Sequence, residues 1–430
     1  MGVPIGLRRR IAAALASALV LVACRKPVET RHVVTFPGSS VGAEGKVLRA
    51  QVARFEAAHP DIRVDLWPAP DAADQRRQLY VQWLAAGSAD PDVLQLDVIW
   101  TPEFAAAGWL LPLDAFGPRV DDFFPAALDA DRWDGRLYAL PWFVDVGMLY
   151  WRTDLVKEPP RSYAELVADA RAARASAGPA LGLVWPAARY EGLVTVFLEY
   201  LGAFGGRILD GAGRVAVDSP AAVRALEAMR DALASGLAPK AALAWHEEET
   251  RFAFQNGKAV FMCNWPYAYA LMADPARSQV AGHYGITTFP AADADGRPTA
   301  ALGGSQLAVN ARSDEPAAAW ALVAFLTAPA QMLERARVAG QLPARRSLYA
   351  GDELATALPM PPATAAAIVE HAVARPVTPV YAELSELLQV RLHRVLSGQE
   401  SPREALTAAA REMRDVLARA RLPEASHVGG

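Results

Sequence analysis

Short apolar runs alternate along this chain with stretches whose apolar residues recur every three or four positions. Val33-Val34-Thr35-Phe36 reads as a buried strand, and Pro37-Gly38-Ser39-Ser40 as the loop leaving it. Val47, Leu48, Val52 and Phe55 then share one face of a helix that His59-Pro60 ends. Ile62, Val64 and Leu66 alternate as a strand, a second helix runs from about Gln75 to Ala86, and Asp90-Pro91 leads into a strand from Val93 to Ile99. The order β-α-β-α-β predicts a largely parallel sheet with helices on both faces, whose ligands bind beyond the carboxyl ends of strands. Glu44, Asp97 and Trp100 fall at or just after such ends.

Further along, Arg136 to Trp151 is a long extended run with Pro141 inside it, which argues against a central strand and for an edge or a crossover. We read it as a first hinge. Helices are predicted around Tyr163 to Ser176 and Pro220 to Ser235, with a polar turn at Asp210-Gly211-Ala212-Gly213, as in a second α/β lobe. Gln306 to Asn310 alternates as a strand, and Glu315 to Leu326 is a helix that returns to the first lobe. From Val380 to Ala420 the pattern is helical, with Leu384, Leu387, Leu388, Leu392 and Val395 on one face. At 430 residues the chain exceeds one compact core, which implies two lobes.

The start of the chain changes the compartment. Arg8-Arg9-Arg10, an apolar run from Ile11 to Val22, and Leu21-Val22-Ala23-Cys24 describe an export signal too short to read as a membrane span. With the cut before a cysteine, residues 1–23 resemble a bacterial lipoprotein signal, which makes Cys24 the lipidated first residue of the mature chain and residues 24–31 a tether. Cys263 is then the one remaining thiol, so no intramolecular disulfide forms. A formal charge of −4 and the lack of a basic cluster after the leader argue against nucleic acid as a partner. His32, His59, His246, His283, His371, His393 and His427 lack metal-ligand spacing, and Gly303-Gly304-Ser305 lacks the strand-then-helix phosphate fingerprint. No metal and no cofactor are expected.

Two acids stand inside apolar strands: Asp97 in Leu96-Asp97-Val98-Ile99-Trp100 and Asp145 in Phe143-Val144-Asp145-Val146-Gly147. A buried carboxylate must find hydrogen-bond partners. An N-cap or turn acceptor is one reading; the other is a clasp on adjacent sugar hydroxyls, since an ionised carboxylate accepts from several donors. Aromatics complete that chemistry, because the C–H face of a pyranose packs on an aromatic face. Trp265 and Tyr267 follow the strand Ala259 to Met262, and Tyr190-Glu191-Gly192 precedes an apolar helix. Arg375, between Ala374 and Pro376, offers a planar donor fork for a carboxylate or two hydroxyls.

With these residues in place, the chain resembles the periplasmic or lipoprotein sugar-binding proteins of ABC transporters, the maltose-binding superfamily, and within it the trehalose/maltose-binding branch. The resemblance is carried by Asp74-Gln75-Arg76-Arg77, Asp90-Pro91-Asp92-Val93, Leu96-Asp97-Val98, Tyr138-Ala139-Leu140-Pro141 with Asp145, Tyr190-Glu191-Gly192-Leu193-Val194, Asn264-Trp265-Pro266-Tyr267-Ala268, Leu302-Gly303-Gly304 and Arg375-Pro376-Val377-Thr378-Pro379. It implies an α/β two-lobe clamp, each lobe a mostly parallel sheet flanked by helices, with three hinge crossovers near Ala139 to Asp145, Gly304 to Val309 and Tyr349 to Leu354. The N-lobe then comprises residues 32–140 and 307–350, the C-lobe 141–306 and 351–422, with 423–430 a flexible tail.

The same resemblance implies sugar contacts at Glu44, Arg76, Asp97, Asp145, Trp265, Gly304 and Arg375, to which the acid–aromatic pairs add Tyr190, Glu191 and Tyr267. Two departures bear on specificity: Ser305 follows the glycine pair where an aromatic is frequent in the family, and Phe143 stands where a tyrosine could add a hydroxyl. The implied protein is a monomeric, non-enzymatic receptor outside the cytoplasm, anchored through Cys24. It captures a disaccharide such as trehalose or maltose and passes it to the permease subunits of an ABC importer. The competing readings are an exported glycoside hydrolase, for which no local acid-pair motif is found, and the same clamp around a polyol, sugar acid or peptide.

Overall fold

The computed structural model describes residues 31–38, 42–70, 73–176, 178–292 and 295–420. The leader, Cys24, the tether up to residue 30 and the tail from residue 421 lie outside the described residues.

The chain begins β1 (His32–Gly38), α1 (Gly42–Ala58), β2 (Ile62–Pro68), α2 (Ala73–Ala85), β3 (Val93–Asp97), α3 (Thr101–Ala106). β1 and β2 pair in parallel. Asp92 ties β1 to β3, its Oδ2 accepting the Thr35 N–H and hydroxyl, each at 2.8 Å. β3 ends at Asp97 rather than at Ile99. The Asp97 carboxylate accepts the Ile99 N–H at 3.2 Å and its carbonyl the Trp100 N–H at 3.0 Å, which turns the chain into α3.

After α4 (Pro125–Asp129) and the hairpin of β4 (Arg132–Trp133) and β5 (Arg136–Leu137), the extended run is two strands, β6 (Ala139–Val146) and β7 (Met148–Arg152), in different sheets. Between them the Gly147 N–H donates to the Ala301 carbonyl at 2.9 Å. The second lobe continues with α5 (Tyr163–Ala175), β8 (Leu181–Val184), α6 (Glu191–Ala203), α7 (Pro220–Ala234), α8 (Glu247–Gln255), β9 (Ala259–Asn264), α9 (Tyr267–Met272) and β10 (Tyr284–Thr287). Its sheet has the order β10-β7-β9-β8.

β11 (Ala300–Val309) returns the chain to the first lobe, where it lies at the centre of the sheet it forms with β3, β6 and β12 (Ala372–Val373), separate from the β1/β2 pair. It is longer than the predicted Gln306 to Asn310 because Gly303-Gly304 weakens the strand signal, while the ladder to β6 runs straight through both glycines. A bulge between Ser305 and Gln306 faces Phe143 and Pro141 on β6, where Pro141 has no N–H to offer. Next come α10 (Pro316–Leu326), α11 (Pro329–Ala339), α12 (Asp352–Ala355), α13 (Pro362–Glu370) and β12 (Ala372–Val373). The helical tail is two helices, α14 (Tyr381–Leu396) and α15 (Pro402–Arg419). Gly398, at φ +79°, ends the first, and Ser401, whose Oγ accepts the Glu404 N–H, caps the second.

The sheets are less parallel than β-α-β alternation predicts. The pairs β1/β2, β8/β9 and β11/β12 are parallel, but β3/β11, β6/β11, β7/β9 and β7/β10 are antiparallel. The β-α-β rule governs strands joined within one lobe. Here β6 leaves the first lobe and β11 re-enters it from the other, so β11 meets β3 and β6 head to tail.

Each lobe has its own core. Val34, Phe36, Leu48, Phe55, Val309 and Leu322 are buried in the first. Leu149, Leu183, Phe197, Leu226, Leu384 and Leu406 are buried in the second. Around β6 the first core extends through Trp142 and Met148 to Met262 and Tyr269 of the second lobe, which makes the crossover region a packed joint. Among the described residues no single helix is long and apolar enough to cross a membrane.

Candidate functional site

A cleft of about 660 Å³ opens where the carboxyl end of β3 meets β6 and β11. In register, Ser305 on β11 lies opposite Asp97 on β3 and Phe143 on β6, and Gly303 lies opposite Asp145. Side chains two residues apart on a strand share a face, so Gln95 and Asp97 come to one wall from β3, Phe143 and Asp145 from β6. Glu44 reaches the same space from the first turn of α1, and Arg76 from α2. Tyr267, Tyr269 and Leu271 come from α9, and Val338 and Gly340 from the end of α11.

Gly304 has φ +119°, and a Cβ there would lie 2.4 Å from the Phe143 carbonyl oxygen, so this position accepts no side chain. The neighbouring Gly303 supports Trp265, since a Cβ there would meet the indole at 3.1 Å and the Asp145 Cβ at 3.4 Å. Trp265 therefore sits over the β6/β11 pair beside Asp145. Its backbone is held on both sides, by Asn264 Oδ1 accepting its N–H at 2.8 Å and by the Tyr150 hydroxyl donating to its carbonyl at 2.8 Å.

The cleft is rich in acceptors without donors. Asp145 and Glu44 make no hydrogen bond among the described residues, and Asp97 holds only the Ile99 amide and Arg375. Burial, with Glu44 and Asp97 nearby, pushes the Asp145 carboxyl up to about 7. Opposing charge comes from Arg76, whose Nη1 donates to the Pro70 carbonyl at 3.1 Å, and from Arg335 behind the wall. Arg335 is buried with its guanidinium 3.8 Å from the Trp142 ring centroid; burial lowers it to about 10 against the pull of Glu44 and Glu334.

The sequence candidates Glu44, Arg76, Asp97, Asp145, Tyr267, Gly304 and Ser305 thus line one cavity. Arg375 stands behind it as a bridge. Its Nη1 donates to Glu191 Oε1 at 2.9 Å, and Nη2 to Asp97 Oδ1 at 3.4 Å and the Leu302 carbonyl at 3.3 Å. Burial alone would lower this guanidinium, but Asp97 and Glu191 raise it above its usual value. Glu191 does not face the cleft: besides Arg375 its carboxylate accepts from the Tyr381 hydroxyl at 2.6 Å and from Ser385. Tyr190 packs on His246, 4.4 Å between ring centroids, with its hydroxyl over Gly192. The hydroxyl of Tyr267 is taken by Glu248 at 2.7 Å, which leaves its ring to the cavity. Gln95 and Tyr269 were not among the candidates. Gln95 had a legible signal, a polar residue two before Asp97 in an apolar strand, whereas Tyr269 lines the cleft from α9 with its hydroxyl donating to the Gly340 carbonyl at 2.7 Å, a partner 71 positions away.

Such a fold and cleft define a class, the two-lobed solute-binding clamp, with an acid-lined space between the lobes. The chain belongs to the bacterial extracellular solute-binding proteins, whose family model matches residues 38–333. A probable ABC transporter-binding protein of Deinococcus radiodurans is 36% identical over 356 residues, covering 80% of this chain and 84% of that one. Among solved structures, maltose-bound MalE3 of T. maritima is 39% identical with a TM-score of 0.79, covering 90% of this chain and 100% of that one. The GacH receptor of Streptomyces glaucescens, solved unliganded and with acarbose, is 29% identical with a TM-score of 0.77, covering 90% and 99%. Membership makes this protein a non-enzymatic carrier that works outside the cytoplasm with an ABC transporter.

Proposed function

We propose that the cleft captures an α-linked disaccharide such as trehalose or maltose and that the loaded protein delivers it to the permease subunits. The observation that carries this reading is the set of carboxylates at Asp145, Glu44 and Asp97, two of them without a donor among the described residues, around a space of about 660 Å³, with Trp265 packed against Gly303 next to Asp145. Sugar hydroxyls supply the missing donors, and the indole takes a pyranose face. The volume lies within the range of small-molecule sites. The maltose-bound and acarbose-bound relatives support the ligand class. Glu44, Arg76, Asp97, Asp145, Trp265 and Gly304 are the proposed contacts, with Arg375 holding Asp97 in place.

Contacts from both lobes make the ligand bind the closed form better than the open one, which shifts the population towards closure. The hinge residues in this reading are Ala139 to Asp145, Gly304 to Val309 and Tyr349 to Leu354, and closure is the signal to the transporter. Acylated Cys24 anchors a monomeric receptor to the membrane. Loss of palmitate labelling in Cys24→Ser, with release of the protein from the membrane fraction, tests the anchor.

Ser305, in place of an aromatic after the glycine pair, favours a second reading, the same clamp around a polyol. Tryptophan fluorescence of the protein lacking residues 1–24, titrated with trehalose, maltose, sucrose, maltotriose, ribitol and mannitol, separates the two. The disaccharide reading expects saturable binding of one disaccharide, weakened by about 1 to 3 kcal/mol in Asp97→Ala and in Trp265→Ala. Wild-type affinity in both variants refutes the site.

A further inference from the structure

We propose that Gln95 is a positioning residue that turns the Ser305 hydroxyl into a proton donor to the ligand, so that this edge of the cleft selects by a hydrogen bond. The inference rests on the reading of the cleft as a carbohydrate site. Ser305 lies in register with Asp97, and Gln95, two residues earlier on β3, lies on the same face. Gln95 Nε2 donates to Ser305 Oγ at 3.2 Å. Both residues line the cavity although they are only 3% and 6% exposed, so the pair is built into the wall.

A serine hydroxyl has one proton and two lone pairs. The Gln95 amide occupies a lone pair, and no group among the described residues accepts the Ser305 proton. That proton is free for a ligand oxygen. An ionised carboxylate accepts only, so in that form Asp97, Asp145 and Glu44 take a ligand's hydroxyl protons while Ser305 answers one of its oxygens.

Gln95 itself is not there for its own hydrogen bonding. Among the described residues Ser305 is its one side-chain partner, and Gln95 Oε1 is buried without any. An orphaned buried carbonyl costs stability, which a residue selected for packing alone would avoid. The ligand class is a sugar or polyol with a ring, glycosidic or hydroxyl oxygen over Ser305. One hydrogen bond, rather than an aromatic face, then discriminates among ligands at this position.

The test is calorimetric titration of the protein lacking residues 1–24 with maltose, trehalose and ribitol, in wild type, Gln95→Leu, Gln95→Glu, Ser305→Ala and the Gln95→Leu/Ser305→Ala double variant. Gln95→Leu and Ser305→Ala are each expected to weaken the bound probe roughly three- to tenfold, and the double variant no more than Ser305→Ala alone. Gln95→Glu accepts the serine proton and turns it from the cleft, so it weakens binding more than Gln95→Leu. The melting temperature of empty Gln95→Leu is expected to stay at or above wild type, which a purely structural glutamine would not allow. Wild-type affinity in Gln95→Leu, or additive losses in the double variant, overturns the proposal. If the wild type binds none of the probes, the carbohydrate reading fails and this inference falls with it.

Discussion

Replacing Asp145 by asparagine should stabilise the empty protein more at pH 8 than at pH 5. Burial, with Glu44 and Asp97 facing it, raises the Asp145 carboxyl from the usual carboxylate value to about 7. A folded form that holds the proton more tightly than the unfolded one is favoured at low pH, and that stability is lost as pH rises from about 4 to about 7. At about 1.36 kcal/mol per pH unit, roughly 2.5 kcal/mol disappears between pH 5 and pH 8. This is an upper bound, because water reaching the half-buried carboxyl screens its charge.

Urea unfolding of wild type and Asp145→Asn at the two pH values gives the difference directly. Buried Glu199, raised to about 8 by desolvation, and Asp131, raised by burial, tilt both proteins alike and cancel in the comparison. The variant should gain about 2 kcal/mol on wild type between pH 5 and pH 8 while losing ligand affinity. Parallel pH profiles would show that Asp145 is not held in this acid-crowded state and refute the reasoning. A stabilising substitution that abolishes binding is expected of a site that keeps unpaired acceptors for a ligand.

Two further outcomes follow from the same geometry. Arg375→Leu leaves Asp97 and Glu191 without their shared cation, and since its side chain is 5% exposed, equilibrium unfolding should register a loss of about 3 to 5 kcal/mol. Gly304→Ala should lower stability by at least about 1 to 3 kcal/mol, because it combines φ +119° with a Cβ 2.4 Å from a carbonyl oxygen. Gly211→Ala, with nothing within 4 Å, is the matched control and should melt as wild type.

The sequence by itself determined the elements and the α/β class, because helix periodicity, caps and breakers act over a few residues. His59-Pro60 ends α1 and Gly398 with Ser401 divides α14 from α15 for reasons wholly local. It also determined which acids are out of place in apolar strands, so that Asp97 and Asp145 were legible before any fold was known. Only the tertiary structure decided that β11 enters head to tail between β3 and β6. The pairing of β3 with β11 lets the side chains of Gln95 and Ser305, 210 positions apart, hydrogen-bond, and local pattern says nothing of such partners. The same long-range packing sorted the candidates. Glu191 is withdrawn from the cleft by Arg375, Tyr381 and Ser385, which lie in the last quarter of the chain, and Gln95 is brought in. A carboxylate's residue type announces that it needs donors; whether protein or ligand supplies them depends on which distant strand or helix packs beside it.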